Sequence, residues 1–266
     1  MDQVLNATPL WLIAAVTFAL LMGATEAGYQ FHRRHLRNSA AAGGAKPESS
    51  FPIFGAALGL LALILGFSFS MALERYDQRR LVILAEANAI GTVDLRARLA
   101  PQPARDQFHD QLRQYVDARL AYFAAAGDPS QEAAARAQTD DLQDELWKTV
   151  AQVSEVVPQA QATGLLIASL NDAFDLATAR RTAFNSHIPA SVIGMVMLYG
   201  LICAGILGYA LADSGRRHMT ASTLLLLLLT LVVTIIIDID RPRSGTVIVD
   251  VRPLEDVRQS LSAPPQ

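Results

Sequence analysis

The chain has 266 residues and a net charge of −3, from 22 Lys and Arg against 25 Asp and Glu, so it has no basic excess of the kind nucleic-acid binders carry, and no RNA- or DNA-binding signature appears. Its hydrophobic content of 52% would suffice for one or two soluble domains, but the apolar residues are bunched rather than spread as a soluble core requires. The single cysteine, Cys203, excludes an intrachain disulfide and reads as a small apolar packing residue.

The first apolar stretch, residues 9–28, is a candidate membrane span with Glu26 near its end, close enough to the headgroup region to reach towards Arg33. Its leader, MDQVLNATP, contains an acid and no Lys or Arg, which argues against a cleaved signal peptide. The first transmembrane segment is therefore assigned to 1–31. Residues 32–50, HRRHLRNSAAAGGAKPESS, read as a short, flexible basic loop.

The second span, 51–73, contains no Asp, Glu, Lys, Arg or His and has the roughly 20 residues needed to cross hydrocarbon. It does not stop at the membrane. Prolines stand at 52 and 101 with none between them, so one helix can run about 48 residues, roughly 70 Å. Its outer half needs packing partners, because propensity alone seldom holds an exposed helix. Within the membrane half, Gly55, Gly59, Ala62, Gly66 and Ser70 keep small residues at helical spacing, as helices that approach closely do. Leu63 and Phe67 recur at i and i+4 on a shared face.

Residues 74–187 form the one insert large enough to be a domain, and it reads as helical throughout. After the break at Pro101 and Pro103, Phe108, Leu112, Tyr115, Arg119 and Tyr122 recur at helical spacing as far as Gly127. Asp128 and Pro129 make an N-cap and first-turn pair for the next helix, whose stripe is Leu142, Leu146, Val150, Val153 and Val157, with Pro158 at its end. A further helix from Ala160 carries Leu166, Leu170, Phe174 and Ala177 on one face and runs towards Ser186 and Pro189.

The third span is 188–212, with Gly200, Ala204 and Gly208 at small-residue spacing, and the fourth is 219–237. The tail, 238–266, offers one short strand candidate at 246–251, then an amphipathic turn or helix and a disordered end. Basic residues lie near the membrane on both sides, so the positive-inside rule does not orient the insert. The fold class is thus all-α and polytopic, with four transmembrane helices and a helical insert between the second and third.

The polar candidates beyond the membrane are Glu86, Asn88 and Thr92. On a helix Asn88, Gly91 and Thr92 share one side and Glu86 lies on another, beside Arg79 and Ile90. They are either an ion vestibule or a helix-crossing point, with Glu86 partnering an arginine in the second case. Asp238, Asp240 and Arg241 at the end of the fourth span offer too few oxygens for calcium and read as a network anchoring the helix end. The five histidines lack ligand spacing, so no metal site is expected. No Gly-rich phosphate loop, GxSxG turn or HExxH helix is present, so neither a cofactor nor an enzymatic activity is expected.

LGFSFSMALERYD, residues 65–77, resembles the second transmembrane helix of bestrophins, and HIPASV (187–192) is similar to a proline entry to their third. With EANAIGT, LRARLAP, LADSGRRH and DIDRPRSG, the chain resembles the bestrophin-like family of bacterial membrane proteins over about residues 51–249. The resemblance implies a multi-pass protein of the bacterial inner membrane that assembles as a homo-oligomer, a pentamer, and conducts small ions. It further implies that the second helix lines the axis, with Phe67 as one ring of a neck, Leu63 the next, and Gly59 and Ser70 on the same face. Bestrophins carry bulky side chains at three successive turns, whereas Gly59 holds the third position here, which makes a neck wider or shorter. The alternative is a non-conducting oligomeric scaffold whose insert binds a partner.

Overall fold

The computed structural model describes residues 8–41, 51–156, 160–213 and 218–262, which fold as eight α-helices. These are α1 (Leu10–Ala41), α2 (Phe51–Ala97), α3 (Ala104–Ala124), α4 (Pro129–Val156), α5 (Ala160–Asn185), α6 (Ala190–Asp213), α7 (Met219–Ile239) and α8 (Arg252–Ser262). The all-α, four-span expectation is met. The helices long and apolar enough to cross a membrane are α1, α2, α6 and α7, with α6 forming the apolar part of a stretch that begins in α5.

The helix α2 is unbroken over 47 residues, about 70 Å at 1.5 Å per residue. No proline interrupts it, and its glycines and serines lie among Ala, Leu and Ile, which favour the helix. The helix α1 also runs further than expected. It continues to Ala41, through residues 32–41 of the stretch read as a loop, because Gln30 to Ala41 contains neither glycine nor proline and ends in alanine. Residues 42–50, and 214–217 in the second short loop, lie outside the described residues, as do Val157, Pro158 and the final four residues of the tail.

The chain divides into two compact units, Met1–Glu74 with His187–Arg241, and Arg75–Ser186 with Pro242–Gln266. In the first, α1 packs on α6 and α7 around Leu21, Ala204, Leu207, Leu211 and Leu226. The α1–α6 approach is close enough that a Cβ on Gly208 would overlap the Thr25 carbonyl oxygen, and one on Gly28 the carbonyl oxygen of Gly205. At the far end of α7, Asp240 Oδ2 accepts a 3.0 Å hydrogen bond from the Ile188 amide, and Arg241 Nη1 donates to the Thr8 carbonyl at 2.8 Å. This is the helix-end network expected of Asp240 and Arg241.

The second unit has its own core, in which Ile83 and Ile90 of α2 meet Phe108, Leu112 and Tyr115 of α3, Leu146 of α4, Leu170 of α5 and Leu254 of α8. Among the described residues, the stripes expected on α3, α4 and α5 are buried, with Tyr122 and Phe174 half-buried. Arg79, fully buried, donates to the carbonyls of Ala183 at 3.2 Å and Ser186 at 2.6 Å, satisfying the C-terminal end of α5.

The strand expected at 246–251 does not form. A lone strand has no ladder to join in an all-helical unit, so its backbone bends instead. The Val249 amide donates to the Pro242 carbonyl at 3.2 Å while its side chain enters the core. The amphipathic helix expected after it is α8, which buries Leu254 and Leu261 and sets Arg258 2.6 Å from Asp117 of α3.

Candidate functional site

The membrane half of α2 has two unlike faces. Leu61, Leu65, Ser68 and Ala72 recur at i, i+4, i+7 and i+11 and are all buried against the chain's own helices. At 3.6 residues per turn, Gly59, Leu63, Phe67 and Ser70 fall about half a turn away from that stripe. All four are exposed, Phe67 by 66% and Leu63 by 54%. A Cβ on Gly59 would meet nothing within 4 Å, and the same holds for Gly55 and Gly66. Of the glycines singled out for helix packing, Gly200 faces Leu21 and Gly208 meets Thr25, whereas Gly55 and Gly66 meet open space.

The polar residues of the outer half separate. Asn88 is exposed and Thr92 half-buried, its hydroxyl donating to the Asn88 carbonyl at 2.9 Å. Glu86 is fully buried on another face, between two arginines from other helices. Arg119 Nε donates to Glu86 Oε1 at 2.7 Å, and Arg180 Nε lies 3.0 Å from Oε2. The remaining donors knit the helices together: Arg119 Nη2 reaches the Ala177 carbonyl and Arg180 Nη2 the Arg119 carbonyl, each at 3.1 Å.

The electrostatics follow from this burial. Burial works against the Arg119 charge, but Glu86 together with Tyr115 and Tyr122 outweighs it and holds the guanidinium above its ordinary range. Burial pushes Arg180 down to about 10, with Glu86 opposing the change and Arg119 adding to it. Tyr115, beside the triad, is pushed up to about 12, chiefly by burial. Its hydroxyl accepts a 3.3 Å hydrogen bond from Gln143 Nε2.

Sequence reasoning singled out Glu86 but not its partners. The available signal was Arg119 within an apolar stripe, a position where a charge needs a buried counter-charge. A second cluster was missed altogether: Asp94, nearly buried, accepts 2.8 and 3.1 Å hydrogen bonds from Arg98 and lies 3.3 Å from His109 Nδ1. Among the described residues, no group of three or more His, Cys, Asp or Glu is placed to hold a metal.

Crystal structures of a bacterial bestrophin homologue from Klebsiella pneumoniae share this fold. One mutant form aligns with a TM-score of 0.68 at 12% identity, covering 96% of this chain and 99% of that one. A second structure of the homologue also gives 0.68, at 14% identity, over 95% and 97% of the two chains. A mutant described only as a membrane protein gives 0.67 at 15% identity, covering 95% of each chain. No curated protein sequence matches the chain. The model of the bestrophin-like domain matches residues 19–254, and the chain belongs to that bestrophin-like family of membrane proteins.

Proposed function

We propose that the chain is one subunit of an oligomeric, bestrophin-like ion channel in which α2 lines the axis and Gly59, Leu63, Phe67 and Ser70 face it. Family membership supports a channel-like reading over an enzymatic one. The observation that carries the finer reading is the two-faced helix: one stripe is anchored on the chain's own helices, and the opposite one is left open.

Lipid could cover an open apolar face inside the bilayer, but not the continuation of that face beyond it. At 3.6 residues per turn, Leu81, Leu84, Asn88 and Leu95 fall in register with Leu63 and Phe67. Leu81 is 63% exposed and Leu95 64%, outside the apolar span. Apolar side chains spaced along a water-exposed helix mark a surface that another protein covers. A further copy of α2 around a common axis covers it and completes a pore at the same time. The pentamer and the bacterial inner membrane follow from the family resemblance and belong to this proposal.

The alternative is an oligomeric scaffold that conducts nothing, supported by the same exposed leucines. The test is ion flux into liposomes holding the purified protein, with the oligomer's mass determined first. Flux that rises with Phe67→Ala in an intact oligomer supports the channel. An oligomer silent in both forms favours the scaffold.

A further inference from the structure

The second unit holds a cavity that the channel reading leaves unused. It is an open-mouthed hollow of about 310 Å³ lined from α3, α4 and α5, with Arg119, Arg181 and the exposed Arg136 among its walls. Asp140 is the one acid in that lining, and it lies on the exposed rim, 3.9 Å from Arg136. Gln143 and Thr178 add neutral polar groups.

The positive charge here exceeds its partners. Glu86 supplies one carboxylate to two buried guanidinia, those of Arg119 and Arg180. Arg119 commits Nε to Glu86 and Nη2 to the Ala177 carbonyl, which leaves Nη1 without a hydrogen bond among the described residues. Arg180 Nη1, behind the cavity wall rather than in its lining, is buried without an acceptor. Arg181, half-buried, makes no ion pair among the described residues. The lining thus sets three guanidinium groups against the single carboxylate of Asp140, an excess of positive charge that a bound anion offsets.

We propose that this cavity binds a small oxyanion, a carboxylate- or phosphate-bearing molecule, with Arg119, Arg136 and Arg181 as its counter-charges. The volume lies at the small end of ligand pockets and suits a compact metabolite rather than a chain. Planar guanidinium forks match the paired oxygens of carboxylate and phosphate, and offer a spherical halide no such geometry. The proposal does not depend on conduction by the membrane half.

The experiment is equilibrium binding of radiolabelled inorganic phosphate, and separately of succinate, to the full-length protein in nanodiscs of phosphatidylcholine at constant ionic strength set with chloride. Saturable binding of either is expected, weakened at least roughly tenfold by Arg181→Gln and by Arg136→Gln, each of which removes a charge-assisted hydrogen bond outside the buried triad. The two probes distinguish phosphate from carboxylate. A parallel sample with phosphatidylglycerol distinguishes the sources: competition there assigns the site to a lipid headgroup, and unchanged binding to a soluble anion. The proposal is overturned if neither probe saturates, or if both substitutions leave binding unchanged.

Discussion

Glu86 and Arg119, 33 residues apart in sequence, meet through a 2.7 Å hydrogen bond between side chains that are both withdrawn from solvent. With Arg180 on the other oxygen, they join α2, α3 and α5 at one point. A buried ion pair contributes little net stability against an apolar replacement, but removing one partner strands the other.

Glu86→Gln keeps the shape and removes the charge, leaving two buried guanidinia without a counter-charge. The expected cost is about 3–5 kcal/mol, read as a fall of roughly 10 °C or more in the thermal unfolding of the detergent-solubilised protein. A melting temperature within a degree or two of wild type would show that the triad does not hold this unit together.

Tyr115 gives the second unit an alkaline limit. Its folded pKa of about 12 lies above the ordinary 10, so below pH 10 the hydroxyl is neutral in both states and its contribution is fully present. As pH rises towards 12 the unfolded chain releases this proton first, and stability is lost across that window by about 2–3 kcal/mol. Tyr115→Phe should flatten the decline. Denaturant midpoints of both forms at pH 9 and pH 11 check this, and equal declines would place the cause elsewhere.

The glycines divide by what surrounds them. Gly208→Ala should loosen the α1–α6 contact at a cost of about 1–3 kcal/mol, since its Cβ would collide with the backbone of Thr25 and Tyr29. Gly66→Ala meets nothing within 4 Å in the subunit. It should leave the subunit's helicity unchanged, and it should weaken the oligomer if a neighbouring copy of α2 covers that open space. Mass measurement beside circular dichroism separates the two effects, and an undisturbed oligomer removes Gly66 from the interface.

Much of the fold was legible because its signals are local. The uncharged run at 51–73 and the absence of proline up to Pro101 predict a long helix through the membrane boundary, and the structure has it. The buried faces of α3, α4 and α5 follow from spacing in the same way. The site was less legible because its partners are distant: Arg180 reaches Glu86 across 94 positions, and Arg136 enters the cavity from a different helix than Arg119. Periodicity identifies a face, but not which side chain opposes it. The tail misled because a β-branched run, TVIV, favours extended backbone whether or not a sheet exists to receive it.

The pore reading makes opposed predictions at two positions on one face of α2. Phe67 is bulky and 66% exposed, whereas Gly59, two turns away, presents no side chain, and a Cβ there would meet nothing within 4 Å. If that face surrounds an axis, Phe67 sets the narrowest ring and Gly59 leaves a wide one, so Phe67→Ala should raise flux severalfold and Gly59→Leu should lower it by adding an apolar ring. On a lipid-facing helix neither change would alter flux, since both residues would meet acyl chains that adapt to either shape. A scaffold would be silent in all three forms. Liposome flux for the wild type and both substitutions, at matched oligomer mass, therefore distinguishes the readings. A rise in one substitution with a fall in the other is difficult to obtain from general destabilisation, which would shift both in the same direction.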